Sequence, residues 1–174
     1  YSALKKINPK LIYCSITGFG QTGPYANRPG YDFLIQGMGG LMSITGEPDS
    51  PDNKTAGPVK VGVAVTDLFT GLYAANAIQG ALLERHQSGV GQYIDLALLD
   101  VQAAVLANQA SNYLIGNLVP ERLGNAHPNI VPYQAFATAD SHIIIAVGND
   151  QQFARFCKVI ESPLMAEDPL YASN

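Results

Sequence analysis

Through residues 67–86 apolar side chains recur at three- and four-residue spacing, at Leu68, Leu72, Ala75, Ile78 and Leu82, and a β-prone run stands on either side. That period marks one long amphipathic helix. The run before it, Lys60-Val61-Gly62-Val63-Ala64-Val65, reads as a strand, and residues 92–98 alternate as another. The remaining pattern continues this alternation. Residues 10–17 form a β-prone run closed by Gly18-Phe19-Gly20, and residues 18–31, with four glycines and two prolines, read as irregular. A short helix is expected within 32–45, a polar breaker-rich loop over 46–54, and a second long helix over 100–115. Residues 124–132 read as irregular, 142–147 as a buried strand and 151–160 as the last helix. Strands alternating with helices point to the α/β class.

Charge narrows the possible partners. Only 14% of the 174 residues are charged, well under the usual quarter, which suggests that part of the surface is covered by a partner subunit or by further chain. Ten Lys and Arg against 14 Asp and Glu give a net charge of −4 with no basic run, which argues against a nucleic-acid footprint. No apolar stretch reaches the roughly 18 residues of a membrane span, and no signal-peptide layout opens the chain. Cys14 and Cys157 lie far apart and form neither a C-x-x-C pair nor a dense framework, so they read as reduced, buried thiols of an intracellular protein. The chain starts without Met and ends at Leu170-Tyr171-Ala172-Ser173-Asn174, and the expectation is a fragment of a longer protein.

Asp67 stands out, because it falls where the β-run gives way to the long helix. Position leaves two readings open. Asp and Thr are favoured helix starters, since their oxygens accept the unpaired N–H groups of the first turn. A carboxylate at the carboxyl end of a strand also lies where α/β folds place ligands, and it could act as a nucleophile. Gly18-Phe19-Gly20-Gln21-Thr22-Gly23 fits G-x-G-x-x-G, but Pro24 follows, no helix opens with it and no acidic residue lies in a following strand. A tight loop is the better reading than a dinucleotide site. Gly124-Asn125-Ala126-His127-Pro128-Asn129 could present backbone N–H groups to an oxyanion or be a plain surface turn. His86 suits a helix end, His142 opens a strand, and no histidine has metal-ligand spacing to either cysteine, so no metal is expected. No G-x-S-x-G elbow is present. Asp32, after Arg28-Pro29-Gly30-Tyr31, reads as the cap of the short helix it opens.

Several segments together resemble the class III CoA-transferases (CaiB/BaiF type), the family of formyl-CoA transferase and carnitine CoA-transferase. They are Asn8-Pro9-Lys10-Leu11-Ile12-Tyr13-Cys14-Ser15-Ile16-Thr17-Gly18-Phe19-Gly20, Arg28-Pro29-Gly30-Tyr31-Asp32, Gly71-Leu72-Tyr73-Ala74-Ala75, Gly89-Val90-Gly91-Gln92-Tyr93-Ile94-Asp95 and Pro132-Tyr133-Gln134-Ala135-Phe136. The order runs through nearly the whole chain. Asn112-Tyr113-Leu114-Ile115-Gly116 and Gly148-Asn149-Asp150-Gln151-Gln152-Phe153 are similar to the branch that includes succinate–hydroxymethylglutarate CoA-transferase.

The resemblance implies an enzyme that moves coenzyme A from an acyl-CoA donor to a small carboxylic, in particular dicarboxylic, acid. Asp67 matches the family's nucleophile, which passes through a mixed anhydride and an aspartyl-CoA thioester. No permanently bound cofactor and no metal are implied; the CoA thioester is a substrate. Tyr31 matches an active-site Tyr of formyl-CoA transferase. Gly124, Asn125, Ala126 and His127 match that enzyme's shielding loop without its run of glycines, and Leu98 falls among residues implied to contact CoA. The related 2-methylacyl-CoA racemases carry Gly-His-Asp where this chain has Gly30-Tyr31-Asp32. A phenol is far less readily ionised than imidazole, so Tyr31 favours transfer over epimerisation. A racemase using Asp67 as acid and base is the alternative reading, and a non-catalytic structural or binding fragment is the second. The implied fold is an interlocked homodimer, with residues 1–118 in a Rossmann-like large domain and 119–174 a linker and the start of a small α+β domain. The implied compartment is the cytoplasm of a bacterium or the mitochondrial matrix of a eukaryote.

Overall fold

A computed structural model describes residues 1–50, 57–171 and 173, which leaves residues 51–54 of the expected polar loop, and residues 172 and 174, outside the described residues. Two units are present, Tyr1–Arg122 and Leu123–Asn174. In the first, helix α1 (Ser2–Ile7) precedes strand β1 (Tyr13–Thr17). Strand β2 (Tyr93–Ala97) pairs with β1 in parallel, with Tyr13 opposite Tyr93 and Thr17 opposite Ala97. Between the two strands lie helix α2 (Asp32–Met38), a 3-10 turn at Met42–Ile44, and the long helix α3 (Val65–Ser88). The chain is therefore α/β, as its alternating pattern indicates.

Helix α3 extends two residues further at each end than its apolar period. It stops where Gly89 adopts a left-handed conformation at φ 73° and donates its N–H to the Arg85 carbonyl, with Arg85 and His86 placed favourably in the last turn. The apolar stripe that reveals the helix only partly coincides with the face it buries, since Ile78 and Leu82 are half-buried. Leu68 and Leu72 are 60% and 65% exposed, whereas Thr66, Thr70, Ala74 and Ala81 are buried. Small side chains on that face let α2, the strands and the next helix approach closely, and leave the bulky leucines on the opposite side.

Two other expectations in this unit are corrected. Lys60 to Val65 form no strand: the Val61 N–H goes to the Gln36 side chain at 2.8 Å instead of to a neighbouring strand. Residues 100–115 do not form one helix but two, α4 (Leu98–Val105) and α5 (Ala107–Leu114). The break falls at Ala107, whose φ of 49° is left-handed and incompatible with continuing the same helix.

The glycine-rich segment after β1 is a loop, and no helix opens from it. Thr17 Oγ1 accepts the Gly20 N–H at 2.8 Å, and Asp95 on β2 accepts the Gln21 N–H at 2.9 Å. Gly18 passes directly against Gly30, so closely that a Cβ on either would overlap the other's backbone. This crossing brings the chain back from the loop to start α2 two residues later, beside the end of β1.

In the second unit, strands β3 (Tyr133–Ala137) and β4 (His142–Ala146) form an antiparallel hairpin, with Tyr133 opposite Ala146. The expectation of a buried strand at 142–147 fails on exposure over most of its length: Ile144 is 77% and Ile143, on the opposite face, 52% exposed, as in a two-stranded ribbon, and only Val147 is buried. Helix α6 (Asp150–Val159) is capped by Asn149, whose side chain accepts the Gln152 N–H, while Gln152 Oε1 accepts the Gly148 N–H at 2.7 Å. Cys157 on α6 is buried, whereas Cys14 on β1 is half-buried, and both are free thiols.

The Gly18–Gly30 crossing tolerates no side chain. Gly18→Ala is expected to destabilise the folded protein by about 1–3 kcal/mol, the usual cost of overpacking, read as a lowered urea midpoint at unchanged slope.

Candidate functional site

Helix α3 begins without a cap of its own. Its N-cap residue is Ala64, whose side chain has no acceptor, and no side-chain capping bond is made from that position. The first-turn N–H groups of a helix need partners, and here one comes from another helix. Asp32, the first residue of α2, accepts the Thr66 N–H on Oδ1 at 2.8 Å. Its Oδ2 accepts from Gln36 Nε2 at 2.7 Å, one turn further along α2. Gln36 is fully buried and its Oε1 takes the Val61 N–H. One carboxylate and one amide thus join α2, the approach to α3 and the first turn of α3.

Thr66 is held at two further points. Its hydroxyl bonds to Gln102 Oε1 on α4 at 3.0 Å, and its carbonyl accepts from Thr70 Oγ1 at 2.7 Å. Gln102 is itself buried, and its Nε2 has no hydrogen-bond partner among the described residues. Gly39 makes the room for it, because a Cβ there would overlap the Gln102 side chain.

Asp67 is the third residue of α3 and is exposed. It is not the helix cap that its position suggests. Among the described residues its carboxylate accepts no hydrogen bond, and the Thr66 N–H is taken by Asp32. Asp67 also does not end a strand, since none forms before α3. Asp32 caps a different helix from the one expected: Tyr31 is the N-cap residue of α2, and the Asp32 carboxylate serves α3. Tyr31 is 72% exposed. The Asp32–Thr66 bond joins the immediate chain neighbours of Tyr31 and Asp67. Leu98 is buried at the start of α4, with its side chain in the core.

Gly124, Asn125, Ala126 and His127 belong to the second unit. Gly124 has a left-handed φ of 58°. The Ala126 N–H donates to the Leu123 carbonyl at 3.0 Å and the His127 N–H to the Tyr133 carbonyl at the start of β3 at 2.9 Å, so both are engaged within the second unit. His127 Nδ1 accepts the Asn129 N–H at 3.1 Å, and its ring lies 5.1 Å from that of Tyr133.

Sequence reasoning passed over Gln36 and Gln102. A signal was present: each is a lone amide inside an apolar helical run, after Phe33-Leu34-Ile35 and before Ala103-Ala104. Buried amides of that kind are retained where they have partners to satisfy.

A family model described as CoA-transferase family III matches residues 1–174. The chain is 60% identical over its full length to a succinate–glutarate CoA-transferase of Agrobacterium fabrum, covering 42% of that protein. It is 49% identical to a succinyl-CoA:glutarate CoA-transferase of Mus musculus, covering 38% of it. Among solved structures, a CAIB/BAIF family protein from Brucella suis matches 100% of this chain and 44% of its own, with 56% identity and a TM-score of 0.76. The chain thus spans about two-fifths of the length of the curated relatives it matches.

The capping assignment separates two aspartates that look alike in sequence. Asp32→Ala is expected to lower stability by about 1–2 kcal/mol, the usual cost of losing a helix cap, whereas Asp67→Ala is expected to change it by less than about 0.5 kcal/mol. Denaturant unfolding of the two variants checks both.

Proposed function

This chain belongs to CoA-transferase family III, and we propose that the protein it is part of moves coenzyme A between small dicarboxylic acids, with Asp67 as the covalent nucleophile. The observation that carries this reading is the state of Asp67. It is an exposed carboxylate in the first turn of a helix whose capping requirement is met from elsewhere, so its oxygens are committed to no structural bond among the described residues. The names of the relatives, which pair succinate with glutarate, support succinyl-CoA as donor and a five-carbon dicarboxylate as acceptor.

In the proposed sequence an Asp67 oxygen attacks the thioester carbon of the donor. The carbon–sulfur bond breaks, CoA thiolate leaves, and a mixed anhydride remains. The thiolate then attacks the Asp67 carbonyl carbon, the anhydride carbon–oxygen bond breaks, and the donor acid departs as its carboxylate. The acceptor carboxylate attacks the resulting aspartyl-CoA thioester and releases the thiolate. That thiolate attacks the acceptor's acyl carbon, which yields the new acyl-CoA and regenerates Asp67. Each attack creates an oxyanion that fixed N–H donors would stabilise. Tyr31, next to Asp32 in the chain, is proposed to line the site, and an interlocked homodimer is the assembly proposed for the whole protein.

Incubation of the whole protein with succinyl-CoA is expected to give a CoA-sized mass adduct on the peptide containing Asp67. Asp67→Asn should abolish the adduct and lower turnover by at least about 1,000-fold, as removal of a covalent nucleophile does. A variant that keeps its turnover would overturn the assignment. Exchange of an α-proton for deuterium in a 2-methylacyl-CoA, without an adduct, would move the reading to a racemase.

A further inference from the structure

We infer that Asp32 is a positioning residue for the transfer reaction: by capping α3 in place of that helix's own N-cap residue, it fixes the nucleophile's backbone while leaving the nucleophile's carboxylate free. The inference rests on Asp67 being the nucleophile. The geometry is specific. A helix N-terminus with Ala at the cap position frays unless another group takes its N–H donors. The Asp32 carboxylate takes the one at Thr66, the residue immediately before Asp67. Thr66 is 1% exposed, and its hydroxyl and carbonyl are held by Gln102 and Thr70. The residue before the nucleophile is therefore fixed through its N–H, its side chain and its carbonyl, by three different partners.

Asp32 is braced in turn. Gln36, with no exposed surface, holds the second carboxylate oxygen and is itself held by the Val61 N–H. The Gly18–Gly30 crossing sets where α2 begins. No bond in this network uses an oxygen of Asp67. That separation matters for a group that must first attack a thioester and then be attacked as an anhydride. Its oxygens need to be unencumbered, while its Cα needs to stay still. Misplacing a reacting group by about 1 Å costs on the order of 100-fold in rate.

The test uses the whole protein, with rates expressed per folded molecule as counted by circular dichroism. Asp32→Ala is expected to lower kcat by about 10- to 100-fold and to leave the KM for succinyl-CoA within about threefold, because the thioester still binds while the nucleophile wanders. Asp32→Asn still offers an oxygen to the Thr66 N–H, but its NH2 would face the Gln36 NH2, so it is combined with Gln36→Glu, which restores an acceptor there. Because Asn caps about as well as Asp, the double variant should return kcat to within about tenfold of the parent. A merely structural role would move stability without this split between kcat and KM. The inference is overturned if folded Asp32→Ala keeps kcat within threefold. It is equally overturned if the folded Asp32→Asn, Gln36→Glu double variant is as slow as Asp32→Ala. Should Asp32→Ala not fold, the rate of the double variant alone decides. The CoA adduct on the unmodified protein is a separate readout: its absence would remove Asp67 as nucleophile, whereas its presence with unaffected Asp32 variants would remove only the positioning role.

Discussion

One hydrogen bond, from the Thr66 N–H to the Asp32 carboxylate, joins the two helices on which the site is built. Around it the first unit forms a dependent series. Gly18 and Gly30 let two backbones cross where no side chain would fit. The crossing starts α2 beside the end of β1, and the first residue of α2 reaches the first turn of α3. Gln36 stiffens the carboxylate, and Thr70 and Gln102 complete the hold on Thr66. A charged acceptor at a helix N-terminus is favoured both by the bond and by the helix dipole, which together make one side chain worth more than an ordinary surface contact. Asp67 follows directly in the chain and is the one carboxylate of that turn left uncommitted among the described residues.

How far the sequence discloses this arrangement depends on the range of the interaction. Helix α3 is legible because its period is local and long, and α6 because its residues lie in one amphipathic run. The face that α3 buries is not legible. Thr66, Thr70, Ala74 and Ala81 are small, and small residues attract attention only when the partner that packs on them is known. Asp32 shows the same limit more sharply. It stands at a helix start, where local reasoning assigns it to its own helix, yet its bond spans 34 positions. The run Lys60 to Val65 carries strand-forming residues, but a strand needs a neighbour, and Val61 spends its N–H on Gln36. Asp67 itself is singled out by position at a helix start, although neither a strand end nor a cap explains it.

The outer face of α3 gives physical content to the chain's sparse charge. Leu68, Leu72 and Leu83 are all well over half exposed on the side away from Thr66 and Ala74. Large exposed apolar side chains on one side of a helix are the kind that a covering surface would bury. The chain spans 42% of one matched relative and 38% of another, so more than half of such a protein lies beyond the residues described. The small-residue face, by contrast, is already packed, and it is the face that carries the Thr66 anchor. The structural support of the site is thus built within this chain, between α2, α3 and α4.

The most direct test of this account is hydrogen exchange at the start of α3 in the whole protein, followed by mass spectrometry on peptides covering residues 61–69. If Asp32 holds the helix end and Asp67 does not, Asp32→Ala will speed deuterium uptake there by about tenfold or more, while Asp67→Ala will leave it unchanged. Faster uptake in Asp67→Ala, with Asp32→Ala indistinguishable from the parent, would show that Asp67 is the cap after all and would remove the physical basis for reading it as a free nucleophile.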